Sequence, residues 1–384
     1  MATLVGMGEH MAEQFLPLYL LTLGGGFLSV GFLNGMDNLL GALYAFPGGY
    51  LSDRLGTKRA LFLFNLISML GYLLVILIPS WPVVLAASAL FLSWTAVSLP
   101  ATMSLVARSL PKHKRAMGVS IHSLVRRGPM ALGPLLGGAC IGAFGVQQGV
   151  RLAFAIALVL AVAGALLQQR LIQDDGGEGE RQSPEVNPLK LWPAMSPQLR
   201  SLLVSDILIR FCEQIPYAFV VVWAVGVPAH PGPVSAVQYG VLRTVEMATA
   251  IVIYIPVAWL ADRGRKKPFV AMTFVFFTLF PAALYWSRSF WALVGAFVLR
   301  GLKEFGEPTR KALIMDLAPE GNKAGMFGLY YLIRDVVVSI AAFGGALLWA
   351  HSPETNLLAA FLCGVIGTLW FLMKGSDLGV SEIR

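Results

Sequence analysis

A chain of 384 residues with 57% hydrophobic and 13% charged residues lacks the polar surface of a soluble domain, about a quarter of which would be charged. Its formal net charge of +8 would suit nucleic acid, but the basic residues cluster between apolar runs, where membrane topology accounts for them, so nucleic acid is excluded as a partner. Cys140, Cys212 and Cys363 stand in separate apolar runs without paired spacing, which excludes a disulfide framework or a thiolate zinc site.

Apolar runs of about 20 residues, the length that crosses a hydrocarbon layer about 30 Å thick, recur along the chain. The first covers 3–23; it has no basic start and is interrupted by Glu9, His10 and Glu13, unlike a cleaved signal peptide. The next are 27–51, 60–79, 83–106, 116–144 with Arg126, Arg127 and two prolines, and 152–171. A polar, glycine-rich stretch follows and reads as a linker over 173–198. Six more runs complete the chain: 202–225, 234–260, 269–286, 290–317, 326–350 and 357–373. The expectation is an all-α membrane protein of twelve transmembrane helices in two six-helix bundles, residues 1–172 and 199–384.

The two bundles are related by sequence. Residues 31–54 lie over 240–263 without a gap: Gly31 over Gly240, Asp37 over Glu246, Pro47 over Pro256, and Asp53-Arg54 over Asp262-Arg263. A second repeat sets Gly118, Arg127, Gly137 and Gly138 over Gly325, Arg334, Gly344 and Gly345. A looser third sets Glu13, Gln14 and Pro17 beside Glu213, Gln214 and Pro216. Loops after even-numbered runs carry Arg54, Lys58 and Arg59, then Arg108, Lys112, Lys114 and Arg115, then Arg263, Arg265, Lys266 and Lys267. Positive loops stay inside, so both termini and the linker are expected in the cytoplasm, with the chain in the plasma (inner) membrane.

The third, sixth, ninth and twelfth runs hold no ionisable residue and read as lipid-facing supports. The others, except the fourth, carry interior charges that must face protein or water, because a charge facing lipid at mid-depth costs at least about 2.5–3.5 kcal/mol.

The segment Gly49-Tyr50-Leu51-Ser52-Asp53-Arg54-Leu55-Gly56-Thr57-Lys58-Arg59 resembles the loop signature G-x-x-x-D-R-x-G-R-R of the major facilitator superfamily. Ala258 through Lys267 resembles a degenerate second copy, with Ala258 in place of the first glycine. Gly133-Pro134-Leu135-Leu136-Gly137-Gly138 resembles that superfamily's antiporter motif; the basic residue of its fourth helix is absent, and Arg300 is its counterpart in the tenth run. The resemblance implies a secondary transporter whose halves alternate access to a central site, with Gly49, Asp53, Arg54, Gly56, Arg59, Asp262 and Arg263 in gating at the cytoplasmic face.

Within that frame, Arg127, Arg334, Arg300, Arg210 and Arg126 are candidate contacts for an anionic or zwitterionic solute, with buried helix-holding ion pairs as their alternative. Burial favours the neutral form of a carboxyl group, which makes interior acids candidate proton carriers. Glu13, then Asp37, with Glu9, are preferred because the first two runs contain no Lys or Arg. Glu213 and Glu246, each three residues from an arginine, read as structural partners. Gly133, Pro134, Gly137, Gly138, Gly344 and Gly345 read as close-packing positions. No nucleotide loop or catalytic constellation is present, so the expected partners are a small solute, protons and the bilayer, with no cofactor, no resident metal and a monomeric state. The alternatives are a multidrug exporter of the same fold, or a transition-metal permease or sensor using Met7, His10 and Met11.

Overall fold

The computed structural model describes residues 2–92, 115–171, 188–227, 230–261, 266–319 and 323–375. They are almost entirely helical, and seven helical stretches among them are long and apolar enough to cross a membrane. The chain forms two compact units, Met1–Ser183 with Val221–Thr244, and Pro184–Val220 with Val245–Arg384.

In the first unit the run expected over 3–23 is two helices, α1 Ala2–Glu13 and α2 Leu16–Thr22. Pro17 in the first turn of α2 has no amide hydrogen to continue the ladder, so the helix breaks just after Glu13. Helix α3 Phe27–Leu55 ends at Gly56, whose φ of 80° is left-handed, and α4 Thr57–Leu77 starts at the next residue. Glycine is what makes so sharp a junction cheap. Helix α5 spans Trp81–Phe91. Helix α6 Arg115–Leu171 contains both the fifth and the sixth expected runs and turns one corner at Gly145 (φ 72°). There the two arms close up, and a Cβ on Gly149 would lie 2.5 Å from Ile141 Cα.

Helix α1 lies along α6 through small residues. A Cβ on Gly8 would meet Ala157, one on Gly133 would lie 2.8 Å from His10 Cβ, and one on Gly137 would overlap the Met11 carbonyl. In lipid, such close approach supplies the packing that a hydrophobic driving force cannot. Helix α7 Pro197–Gln214 belongs to the second unit, and α8 Val220–Val225 leads into a short strand pair, β1 Gly226–Val227 with β2 His230–Pro231. The first turns of α9 Ala236–Ala261 then pack on α6. Thr244 Oγ1 donates to Ala131 O at 2.7 Å, and Gly138 and Gly240 leave no room for side chains at this seam.

In the second unit α7 starts at an N-cap, Ser196, whose Oγ accepts from Leu199 N–H. The run expected over 202–225 breaks after Gln214: Pro216 follows, and a 3-10 turn covers Tyr217–Phe219. Helix α10 spans Lys267–Trp286. The run expected over 290–317 is two helices, α11 Phe290–Leu302 and α12 Glu307–Leu317. Pro308 opens α12, and the freed Gly306 N–H donates to Thr273 Oγ1 at 2.5 Å. Helices α13 Lys323–His351 and α14 Pro353–Lys374 complete the unit. Its core joins Leu199, Leu202, Phe274, Leu313, Leu329 and Phe371. Asn356 Nδ2 ties α13 to the break in the seventh run by donating to Gly345 O (2.7 Å) and Ile215 O (3.1 Å).

Candidate functional site

The interior charges gather into one group in each unit. In the second, α7 presents Asp206, Arg210 and Glu213 at helical spacing, and α12 presents Glu307, Arg310 and Lys311 likewise, so opposite charges meet within each helix and across the pair. Asp206, 1% exposed, is the hub: it pairs with the equally buried Arg310, accepts from Tyr330 OH at 3.1 Å and lies 3.5 Å from Arg334 Nη1. Arg310 Nη2 also donates to Glu307 Oε1 at 2.7 Å. From there Arg210 links Glu307 (3.6 Å) to Glu213 (2.7 Å), and Lys303 links Glu213 (2.7 Å) to Glu246 (3.6 Å). Arg334 meets Asp335 at 2.7 Å and lays its guanidinium carbon 4.1 Å from the centre of the Tyr331 ring.

Arg300 ends this chain of charges and is held differently. Its Nε lies 3.4 Å from Glu246 Oε1, too long for a strong charge-assisted bond, and its buried Nη1 has no hydrogen-bond partner among the described residues. The Tyr217, Phe280 and Phe297 rings surround the guanidinium at 5.4, 5.0 and 5.7 Å. The break in the seventh run brings Tyr217 to this place.

In the first unit Glu9, Glu13 and Asp37 lie within electrostatic reach of one another. Glu13 Oε2 is 3.3 Å from His10 Nδ1, Glu9 is 4% exposed, and Arg126 and Arg243 act on this group from α6 and α9. Asp37 makes no hydrogen bond or ion pair among the described residues. Tyr72 on α4 lies within electrostatic reach of Glu9 and Glu13; its hydroxyl is buried without a hydrogen-bond partner among the described residues, and its ring is clamped by Phe91 and Phe154 at 5.2 and 5.7 Å. Arg127 is half-buried on the same arm of α6.

Among the gating candidates, Gly56 forms the α3–α4 junction and Arg59 is exposed on the first turn of α4. The side chains of Gly49, Asp53 and Arg54, and all of Asp262 and Arg263, lie outside the described residues. The packing glycines diverge: Gly137, Gly138 and Gly345 press against neighbouring backbone, whereas a Cβ on Gly344 would meet nothing within 4 Å. Among the described residues no three of His, Cys, Asp and Glu gather to hold a metal, and Met11 is packed beneath Gly137. Sequence reasoning missed Tyr72, Tyr217, Tyr330 and the central place of Asp206. The first three carry no charge to draw notice, but Asp206 stands four residues before Arg210 and seven before Glu213, on one helix face.

The family model described as Major Facilitator Superfamily matches residues 1–229 and 217–380. An uncharacterized MFS-type transporter of Methanocaldococcus jannaschii is 23% identical over 375 residues, 95% of this chain and 91% of the relative. Among solved structures, a nucleoside transporter superposes with a TM-score of 0.81 at 10% identity, covering 98% of each chain. A peptide transporter in complex with sulfate gives 0.73 at 17% identity, covering 97% of this chain and 92% of its own. A bacterial homolog of a human lysosomal transporter, Spinster, gives 0.73 at 13% identity, covering 97% and 94%.

Proposed function

Because this chain belongs to the Major Facilitator Superfamily, and is thus a membrane transporter, we propose that it moves a small zwitterionic or anionic organic solute by alternating access, coupled to protons. The reading includes twelve crossings in two bundles, 1–172 and 199–384, joined by the 173–198 linker. It also includes cytoplasmic termini in the inner membrane, a monomer, and gating by the Gly49–Arg59 signature with Asp262 and Arg263.

The observation that carries it is the orphaned Nη1 of Arg300. A buried guanidinium donor without a partner costs roughly 1–3 kcal/mol, which a solute carboxylate would relieve on binding. The loose contact to Glu246 gives an ammonium group a place beside it, and the three rings exclude water around the pair. Arg210 and Arg334, held at 2.7 Å by Glu213 and Asp335, serve mainly to keep the network closed. Arg126 and Arg127 are further candidate solute contacts within the first unit. Protons are carried by Glu13 and Asp37, with Glu9 beside them, since one proton relieves the mutual repulsion of the three.

The test is uptake into proteoliposomes of zwitterionic, anionic and neutral solutes. 5-Aminolevulinic acid, peptides and nucleosides head the panel, because structural neighbours are named for them. Arg300→Gln should lower transport of the selected zwitterion at least about tenfold, one charged hydrogen bond's worth, and spare a neutral analogue. Equal losses for both solutes would assign Arg300 to the fold alone.

A further inference from the structure

Helices α10 and α14 pack side by side yet leave a cavity of about 380 Å³ between the last turns of α10 and the first turns of α14. Pro281, Leu358 and Phe361 give it apolar walls, and the exposed Trp286 and Glu354 stand at its edge. The far ends of the same helices are basic: Lys267 Nζ donates to Leu372 O at 3.1 Å, and Lys374 follows. The cavity therefore opens in the leaflet opposite that basic end. Trp286 and Trp291, 74% and 78% exposed, mark the interface there, as amphipathic rings do at headgroup level. Leu279, Leu358 and Leu362 are exposed on the same helices, so this face meets lipid.

Two charges of opposite sign stand at this end: Glu354 in the lining itself, and Arg288 over the lining ring of Tyr285. Glu354 lies exposed in the first turn of α14 and lines the cavity. Arg288, two residues beyond Trp286, holds its guanidinium 5.7 Å from the Tyr285 ring centre. Apolar walls suit an acyl chain, whose methylenes are favourably buried there. A headgroup bearing only negative charge would be repelled by Glu354. A choline headgroup has no N–H to donate to the carboxylate, whereas a primary ammonium has three.

We propose that this cavity holds one acyl chain of a phosphatidylethanolamine lipid, with the ammonium on Glu354 and the phosphate beside Arg288. The lipid is a bound ligand of this face, separate from the transported solute.

The probe is tryptophan quenching in nanodiscs doped with dibromostearoyl lipid carrying an ethanolamine, choline or glycerol headgroup. The Trp286 component is the difference between the wild type and Trp286→Phe. Ethanolamine lipid should quench that component about two- to fivefold more effectively than glycerol lipid, the effect of one exposed ion pair. Glu354→Gln should abolish the preference and Glu354→Asp should keep it; both changes are on the surface and leave the core intact. Equal quenching by all headgroups, or a preference that survives Glu354→Gln, would overturn the proposal.

Discussion

The two groups of interior charge face the same physical problem and solve it differently. In the second unit acids and bases alternate along α7 and α12 and close on one another at 2.7–3.6 Å, through Arg210, Glu213, Lys303 and Glu307. In the first unit Glu9, Glu13 and Asp37 sit on helices without interior Lys or Arg; Glu13 meets a histidine, and Asp37 meets no base among the described residues. A network already neutral within itself has little reason to change protonation. An acid cluster whose own helices offer His10 but no interior Lys or Arg is the better proton carrier on the proposed reading. On that reading, coupling belongs to the first unit and rigidity, with the Arg300 site at its edge, to the second.

The largest effect expected from breaking the comparison is at Asp206. Asp206→Ala leaves Arg310 and Arg334 buried without their shared acid and should cost about 3–5 kcal/mol, read as a fall in thermal stability and poor monodispersity after extraction. Replacing Asp206 and Arg310 together by leucine and methionine should recover most of the loss, since a paired charge exchanged for apolar packing is often neutral. A double variant as unstable as the single one would mean that the network specifies the fold by more than charge balance.

Smaller effects sharpen the contrast at positions equated by the sequence repeat. Gly137→Ala would force α1 away from α6 and should cost about 1–3 kcal/mol, whereas Gly344→Ala, facing open space, should stay within about 0.5 kcal/mol. Thermal shift of both variants checks this, and equal costs would mean that the seam between α1 and α6 yields easily. The expected stability change for Glu13→Gln is also small, about 1 kcal/mol or less, because its histidine contact at 3.3 Å is partly exposed.

The apolar runs were legible because spans in lipid must be long, continuous and free of uncompensated charge. The breaks were legible only in part. Pro17 and Pro216 stand beside Glu-Gln pairs that the third repeat picks out, and both mark the ends of helices, α1 and α7. In the run over 290–317 Pro308 signals a bend in the sequence, but the full interruption at 303–306 was not legible because Leu302 through Leu317 keeps apolar positions at helical spacing. The merging of the fifth and sixth runs through Gly145 was hidden because a single glycine at positive φ suffices where a loop was expected. At the sites, charge drew the eye to arginine, so the phenol of Tyr72 and the rings around Arg300 went unseen. Partnership is also a tertiary property. Sequence spacing pairs Glu213 with Arg210, but only the fold adds Lys303 from α11.

The central claim is that the coupling proton is carried in the first unit and not in the second. It is tested most directly by solute uptake into proteoliposomes under an imposed pH gradient, compared with solute exchange at equal pH. Glu13→Gln combined with Asp37→Asn should exchange solute at near wild-type rate yet show no acceleration by the gradient, while Glu213→Gln, if it folds, should keep the gradient response. Gradient-driven uptake that persists in the Glu13/Asp37 double variant and disappears in Glu213→Gln would contradict the account.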